Sequence, residues 1–155
     1  MKRLNKKGFT LIELLAVIVI LAIVLVVTIP SVIDTMNDAR DKSLQNATDT
    51  VAEWFTKQYE LATLGATLGS GTVDEAYSTF VGTAGLTTTA KNLDASVLVA
   101  AGISKPADNI EIGNNSTVKL NGTKVCVELT AKSGGSFYAT DRDDHKRSSA
   151  GCQVR

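Results

Sequence analysis

The stretch "NKKGFTLIELLAVIVILAIVLVVTIPSV", residues 5–32, fixes how the whole chain has to be read. From Phe9 to Ile29 it runs for 21 residues with a single charge, Glu13. As a helix this run spans about 31 Å, close to the hydrocarbon thickness of a bilayer. Its apolar residues leave no polar face, unlike a helix lying on a protein or membrane surface. Lys2, Arg3, Lys6 and Lys7 precede it, while Asp34 and Asp38 follow it. That asymmetry predicts a single-pass membrane protein with a cytoplasmic N-terminus and the remaining chain outside.

A cleaved secretory signal shares the basic start, but the apolar run here is long and no A-x-A-like site follows it. The small-residue junction is Gly8, which lies ahead of the run. A protease cutting there removes only the basic leader and leaves the hydrophobic helix attached. The carboxylate four places into that helix also needs an explanation, because intramembrane charges are rare and are functional by default. Taken singly, Gly8 is an ordinary turn residue, Pro30 a helix punctuator, and Glu13 an interfacial side chain reaching toward the headgroups.

Taken together, "KKGFTLIELL" (residues 6–15) resembles the processing site of type IV prepilins and of their relatives, the pseudopilins of type II secretion and DNA-uptake systems. The resemblance is specific over residues 1 to about 35 and extends to the later chain only in general layout. It implies cleavage between Gly8 and Phe9 by a membrane-embedded prepilin peptidase and N-methylation of Phe9. It also implies an assembly role for Glu13 and a helix kink at Pro30. One departure is Ala22, where many family members carry a glycine; local melting of the helix between Ala22 and Pro30 is therefore not implied with the same force.

Beyond Pro30, which removes one helix hydrogen bond, apolar residues recur at Val32/Ile33, Met36, Ala39, Leu44, Ala47, Val51, Trp54/Phe55 and Leu61/Ala62. This is helical spacing with one apolar face, and it predicts a helix from Phe9 to about Leu64, closed by the glycines of "LGATLGSG" (64–71). The expected organisation is a leader at 1–8, a transmembrane or filament-core half-helix at 9–29, an amphipathic half-helix at 30–64 and a globular head at 65–155. Within the head, residues 72–81 read as loop or short helix, and "AKNLDASVLVAAG" (90–102) reads as a helix. "STVKL" (116–120) and "KVCVELT" (124–130) alternate across "NGT", where Asn121-Gly122 suits a type I′ hairpin turn. "SFYAT" (136–140) adds a third antiparallel strand. The predicted fold class is α+β, a long N-terminal helix packed on a small antiparallel sheet. The tail, "DRDDHKRSSAGCQVR" (141–155), lacks periodicity and is expected to cross the surface.

Composition excludes some classes of function. The 155 residues carry 16 basic and 16 acidic side chains, but without the leader the balance falls to about −4. An acidic body with only 5% aromatics lacks the basic patch and stacking platforms of a nucleic-acid binder. Cys126 and Cys152 are the two cysteines, and in an exported body they are expected to form a structural disulfide. Closing a loop of that length contributes about 3.5 kcal/mol in the chain-entropy description; a comparable bond delimits a C-terminal surface region in type IV pilins. One histidine, His145, no metal-binding cysteine pair and no phosphate-binding glycine loop leave no catalytic constellation, no metal site and no cofactor to expect. Asp141, Asp143 and Asp144 lack the glycine and final glutamate of a calcium loop and read as a solvated acidic turn. Asn115 and Asn121 head glycosylation-like triplets, a pattern that chance supplies readily.

The resemblance thus implies a structural protein rather than an enzyme, namely a pilin held in the lipid bilayer and then polymerised with copies of itself into a surface pilus. Prepilin peptidase and a membrane assembly platform are its implied partners, and adhesion, motility and biofilm formation its implied roles. Two alternatives remain at this stage. One is a pseudopilin serving secretion or DNA uptake, the latter being the one case in which nucleic acid becomes a partner. The other is a membrane-anchored binding module that never polymerises.

Overall fold

The computed structural model describes residues 10–68, 72–139 and 146–147. The chain divides into two compact units, residues 1–40 and 41–155. A single helix, α1 (Leu11–Leu68), contributes to both. The head follows with α2 (Glu75–Val81), a 3₁₀ turn (Gly82–Ala84), β1 (Lys91–Leu93), α3 (Ala95–Ala100), α4 (Pro106–Asn109), β2 (Gly113–Asn121), β3 (Lys124–Thr130), β4 (Ser136–Ala139) and β5 (Lys146–Arg147). The class is α+β, as the sequence predicts.

The first unit contains the start of α1 and, among its described residues, no packed core. Every residue from Thr10 to Arg40 is exposed, and the large apolar side chains between Leu11 and Ile29 are 48–84% exposed. The helix continues through Pro30. Thr28 and Thr35 turn their hydroxyls back to the Val24 and Ser31 carbonyls, at 2.9 and 2.8 Å, so these polar groups are satisfied within the helix itself.

The second unit is built around the other half of α1. Leu44, Thr48, Val51, Ala52, Phe55 and Gln58 are buried at helical spacing, the later part of the stripe that periodicity predicts; its earlier members Val32, Ile33, Met36 and Ala39 are exposed. Phe55 lies at the centre of an aromatic group, edge-on to Trp54 (5.0 Å between centroids), Tyr77 (6.0 Å) and Phe80 (5.7 Å). Two polar side chains on this face are also satisfied. Thr48 donates to the Leu44 carbonyl at 2.7 Å. Gln58 Oε1 accepts the Asp74 N–H at 2.8 Å, which fixes the entry to α2 against α1. The α1 helix ends four residues beyond Leu64, the position expected from the glycines: Gly65 is tolerated inside the helix at a cost of about 1 kcal/mol relative to alanine.

The sheet has five strands in the order β1-β2-β3-β4-β5, with every neighbouring pair antiparallel. Val118, Val125, Val127, Leu129, Phe137 and Ala139 bring one face of the sheet into the core. Three sequence expectations are corrected. Lys91–Leu93, placed in a helix by the reading of 90–102, is a strand pairing with β2. The helix begins only after Asp94, whose carboxylate caps it by accepting the Val97 N–H at 3.0 Å. The hairpin turn is also not type I′. Asn121 pairs with Lys124, so the turn residues are Gly122 and Thr123, and among the described residues of this turn only Gly122 has positive φ (65°). A positive φ confined to the first central residue is the II′ pattern. Finally, the tail is not wholly irregular, since Lys146–Arg147 extends the sheet beside β4.

Candidate functional site

The sequence directs attention to the start of α1. Gly8 and Phe9 lie outside the described residues; Thr10, Glu13 and the apolar run lie within them. Thr10 is not yet helical and α1 begins at Leu11, which makes Thr10 the cap of the helix. The Thr10 N–H and hydroxyl both donate to Glu13 Oε2, each at 2.8 Å. The Glu13 N–H in turn approaches the Thr10 hydroxyl oxygen at 3.4 Å. This reciprocal arrangement is a capping box: Thr10 takes up one of the free N–H groups of the first turn, and Glu13 reaches back to the N–H of the cap. A negative charge there also sits favourably against the positive end of the helix dipole.

The isolated carboxylate of the sequence is therefore a bonded one. The sequence signal for this bonding is the pattern T-L-I-E immediately ahead of an apolar run. The run that follows meets, by length and composition, the requirements of a membrane-crossing helix, and none of its most apolar window is buried within the protein. Pro30, a further residue marked in the sequence, stands inside the same helix, beyond that run.

The head carries the other candidate residue described, Cys126. It is fully buried, but outside the cluster of core residues that Val125 and Val127 join. Its neighbours Val125 and Val127 point into that core, so strand alternation turns Cys126 to the opposite face of the sheet. Cys126 is not a free thiol. Cys152 lies outside the described residues, as do His145 and the acidic group Asp141, Asp143 and Asp144. Among the described residues no cluster of three or more potential metal ligands occurs.

No curated protein and no solved structure matches the chain. The family comparison falls on the N-terminal segment alone: residues 3–29 match the prokaryotic N-terminal methylation motif, the signature of type IV pilins and pseudopilins.

Proposed function

We propose that this chain is the structural subunit of a type IV pilus, processed after Gly8 and polymerised through its N-terminal helix. The observation that carries the reading is the coincidence of the methylation motif at residues 3–29 with a helix exposed along its whole apolar length. Such a surface is stable only in lipid or against other helices like it. A membrane-stored subunit that later joins a helical bundle meets both conditions in turn. The head would face outward throughout, and adhesion or surface motility would be its display function. A Cys126–Cys152 bond fits an exported head, and it is supported by the burial of Cys126 on the face of the sheet opposite Val125 and Val127.

Glu13 is the residue on which assembly turns in this reading. Cleavage after Gly8 generates an α-amino group at Phe9 that is charged at neutral pH. Paired with Glu13 of a docked subunit, it would set the axial stagger of the filament. Removing one partner of such a pair in an apolar core strands the other charge.

Mass spectrometry of the mature chain, with electron microscopy of the cells that make it, tests the proposal. The expected result is N-methyl-Phe9 as the first residue and surface filaments that disappear when the chain is deleted. Glu13→Val should insert and be cleaved but assemble few or no filaments. A mature chain that begins at Met1 would overturn the assignment, whereas correct processing with only short membrane-bound assemblies would favour the pseudopilin.

A further inference from the structure

We infer that Asn121 is a self-modification site, at which the Gly122 backbone nitrogen attacks the side-chain amide and converts it to a carboxylate. The inference concerns the head alone and stands apart from the pilus reading. Asn121-Gly122 is the single Asn-Gly pair in the sequence. The reacting groups are neighbours on one chain, so their meeting carries no cost of bringing two molecules together. Glycine adds no Cβ beside the attacking nitrogen, which leaves a close approach open. The hairpin also leaves that nitrogen unused. Asn121 and Lys124 form the last pair of the ladder, so their backbone groups close it and the Gly122 N–H stands outside. Gly122 and Thr123 are exposed and Asn121 is half-buried. A Cβ built on Gly122 would meet nothing within 4 Å, so water has access to the turn. Bringing the carboxamide onto the Gly122 nitrogen requires only the last rung to loosen, a local opening well short of unfolding. Asn92 and Asn115, also exposed, lack this combination. They precede Leu93 and Ser116, and their amide nitrogens are bonded to Asn114 Oδ1 at 2.8 Å and to Glu111 Oε2 at 2.5 Å.

The only co-reactant is water. The Gly122 nitrogen gives up its proton and bonds to Asn121 Cγ, closing a succinimide ring. The Cγ–Nδ2 bond breaks, and Nδ2 leaves as ammonia with that proton. Water then opens the ring at one of its two carbonyls. Attack at Cγ restores the ordinary backbone and leaves aspartate. Attack at the main-chain carbonyl leaves isoaspartate, with the peptide link rerouted through the side chain. Nothing is oxidised or reduced, and either product turns a neutral side chain into an anion. Aspartate keeps the strand and stands in register with Lys124, on the face that also carries Lys119. Opposite charges paired across strands are favourable, so this product suits the hairpin. Isoaspartate lengthens the main chain by a carbon and breaks the last rung, which leaves Leu120 and Val125 as the end of the ladder. Asn121 also heads a glycosylation-like triplet. The two fates exclude each other, because a glycan would occupy the nitrogen that has to leave.

The test uses the full chain, kept folded in detergent solution at neutral and mildly alkaline pH in water labelled with heavy oxygen. Peptides are then mapped by mass spectrometry after digestion in acid, which halts ring closure, and the label marks what formed during the incubation. Labelled aspartate and isoaspartate should both accumulate at position 121, faster at the higher pH because the attacking nitrogen must lose its proton. Asn92 and Asn115 should keep their amides. Gly122→Ala crowds the nitrogen, and Asn121→Gln would have to close a larger ring. Both variants should lose the modification over the same period while their circular dichroism matches that of the parent. An intact Asn121 amide in the parent overturns the inference, as does a glycan found on its nitrogen. Aspartate without isoaspartate also overturns it, since direct hydrolysis passes through no ring. Conversion in Gly122→Ala as fast as in the parent would show that the glycine is not what makes the site reactive, and would overturn it as well.

Discussion

Asp94 shows how a single side chain sets a boundary in this fold. Its carboxylate accepts the Ser96 hydroxyl at 2.5 Å and the Val97 N–H at 3.0 Å, closing the first turn of α3. The Ser96 bond is the main reason its pKa lies below the ordinary carboxylate value; partial burial opposes the shift, while the Val97 and Ser96 N–H groups and the Lys91 charge add to it. A carboxyl with a lowered folded pKa contributes stability above its unfolded value, near 3.8, and loses that contribution as pH falls through the folded value. Asp94→Asn keeps a capping oxygen but removes the charge. It should lower the melting temperature slightly at pH 7, a loss below about 1 kcal/mol for so exposed a group, and the gap should close as pH is lowered toward 2. A gap of constant size across a series of thermal melts from pH 7 to pH 2 would show that the charge contributes nothing. At this scale the sequence was partly legible. Asp94 stands ahead of an apolar helical run, as a cap should, but residues 90–93 carry no turn signal that separates them from that run. Thr10 is legible only through the T-x-x-E spacing that it shares with Glu13.

Among the elements, the β2–β3 hairpin and the α1 stripe were the most legible. Strict alternation on both sides of Asn121-Gly122-Thr123 fixes which residues face the core, and a one-residue slip would expose Val118, Val125 and Val127 together. The turn type was not legible, because choosing between I′ and II′ depends on which two residues fall between the last paired positions. The structure places Gly122 at the first of them with φ 65°, and a Cβ added there would meet nothing within 4 Å. A substitution at Gly122 is therefore a measurement of backbone strain alone. Gly122→Ala should cost about 1–2 kcal/mol, because the positive φ strains a residue that carries a Cβ. Equal melting temperatures for the parent and Gly122→Ala would contradict the II′ assignment. The short strands β1 and β5 were illegible for a physical reason. Three and two residues respectively are too few to display a period, and their existence depends on the neighbours β2 and β4 with which they pair.

At the scale of the molecule, every core residue among those described lies in the second unit, and the first of them is Leu44. A chain beginning at Asp41 should therefore fold as a water-soluble head that unfolds in one cooperative transition by circular dichroism. A chain beginning at Tyr59 lacks Leu44, Val51, Ala52 and Phe55 and should stay unfolded, because the loss of even one such aromatic costs about 3–5 kcal/mol against a total stability of about 5–15. A cooperative transition in the shorter chain would mean that α1 is dispensable to the head. The same placement of Phe55 has a consequence for the order of events during synthesis. Its core partners on the sheet, Val118 through Ala139, leave the ribosome more than sixty residues after it. Contacts so distant in sequence form slowly, because the intervening chain must be closed into a loop first. The apolar stripe of α1 is made early and stays without its cover until β2, β3 and β4 have all been delivered. During that interval the nascent head presents a hydrophobic helix face to its surroundings, so folding of the head is bound to the completion of synthesis, and any delay in delivering the last strands is a period of exposure to aggregation and proteolysis.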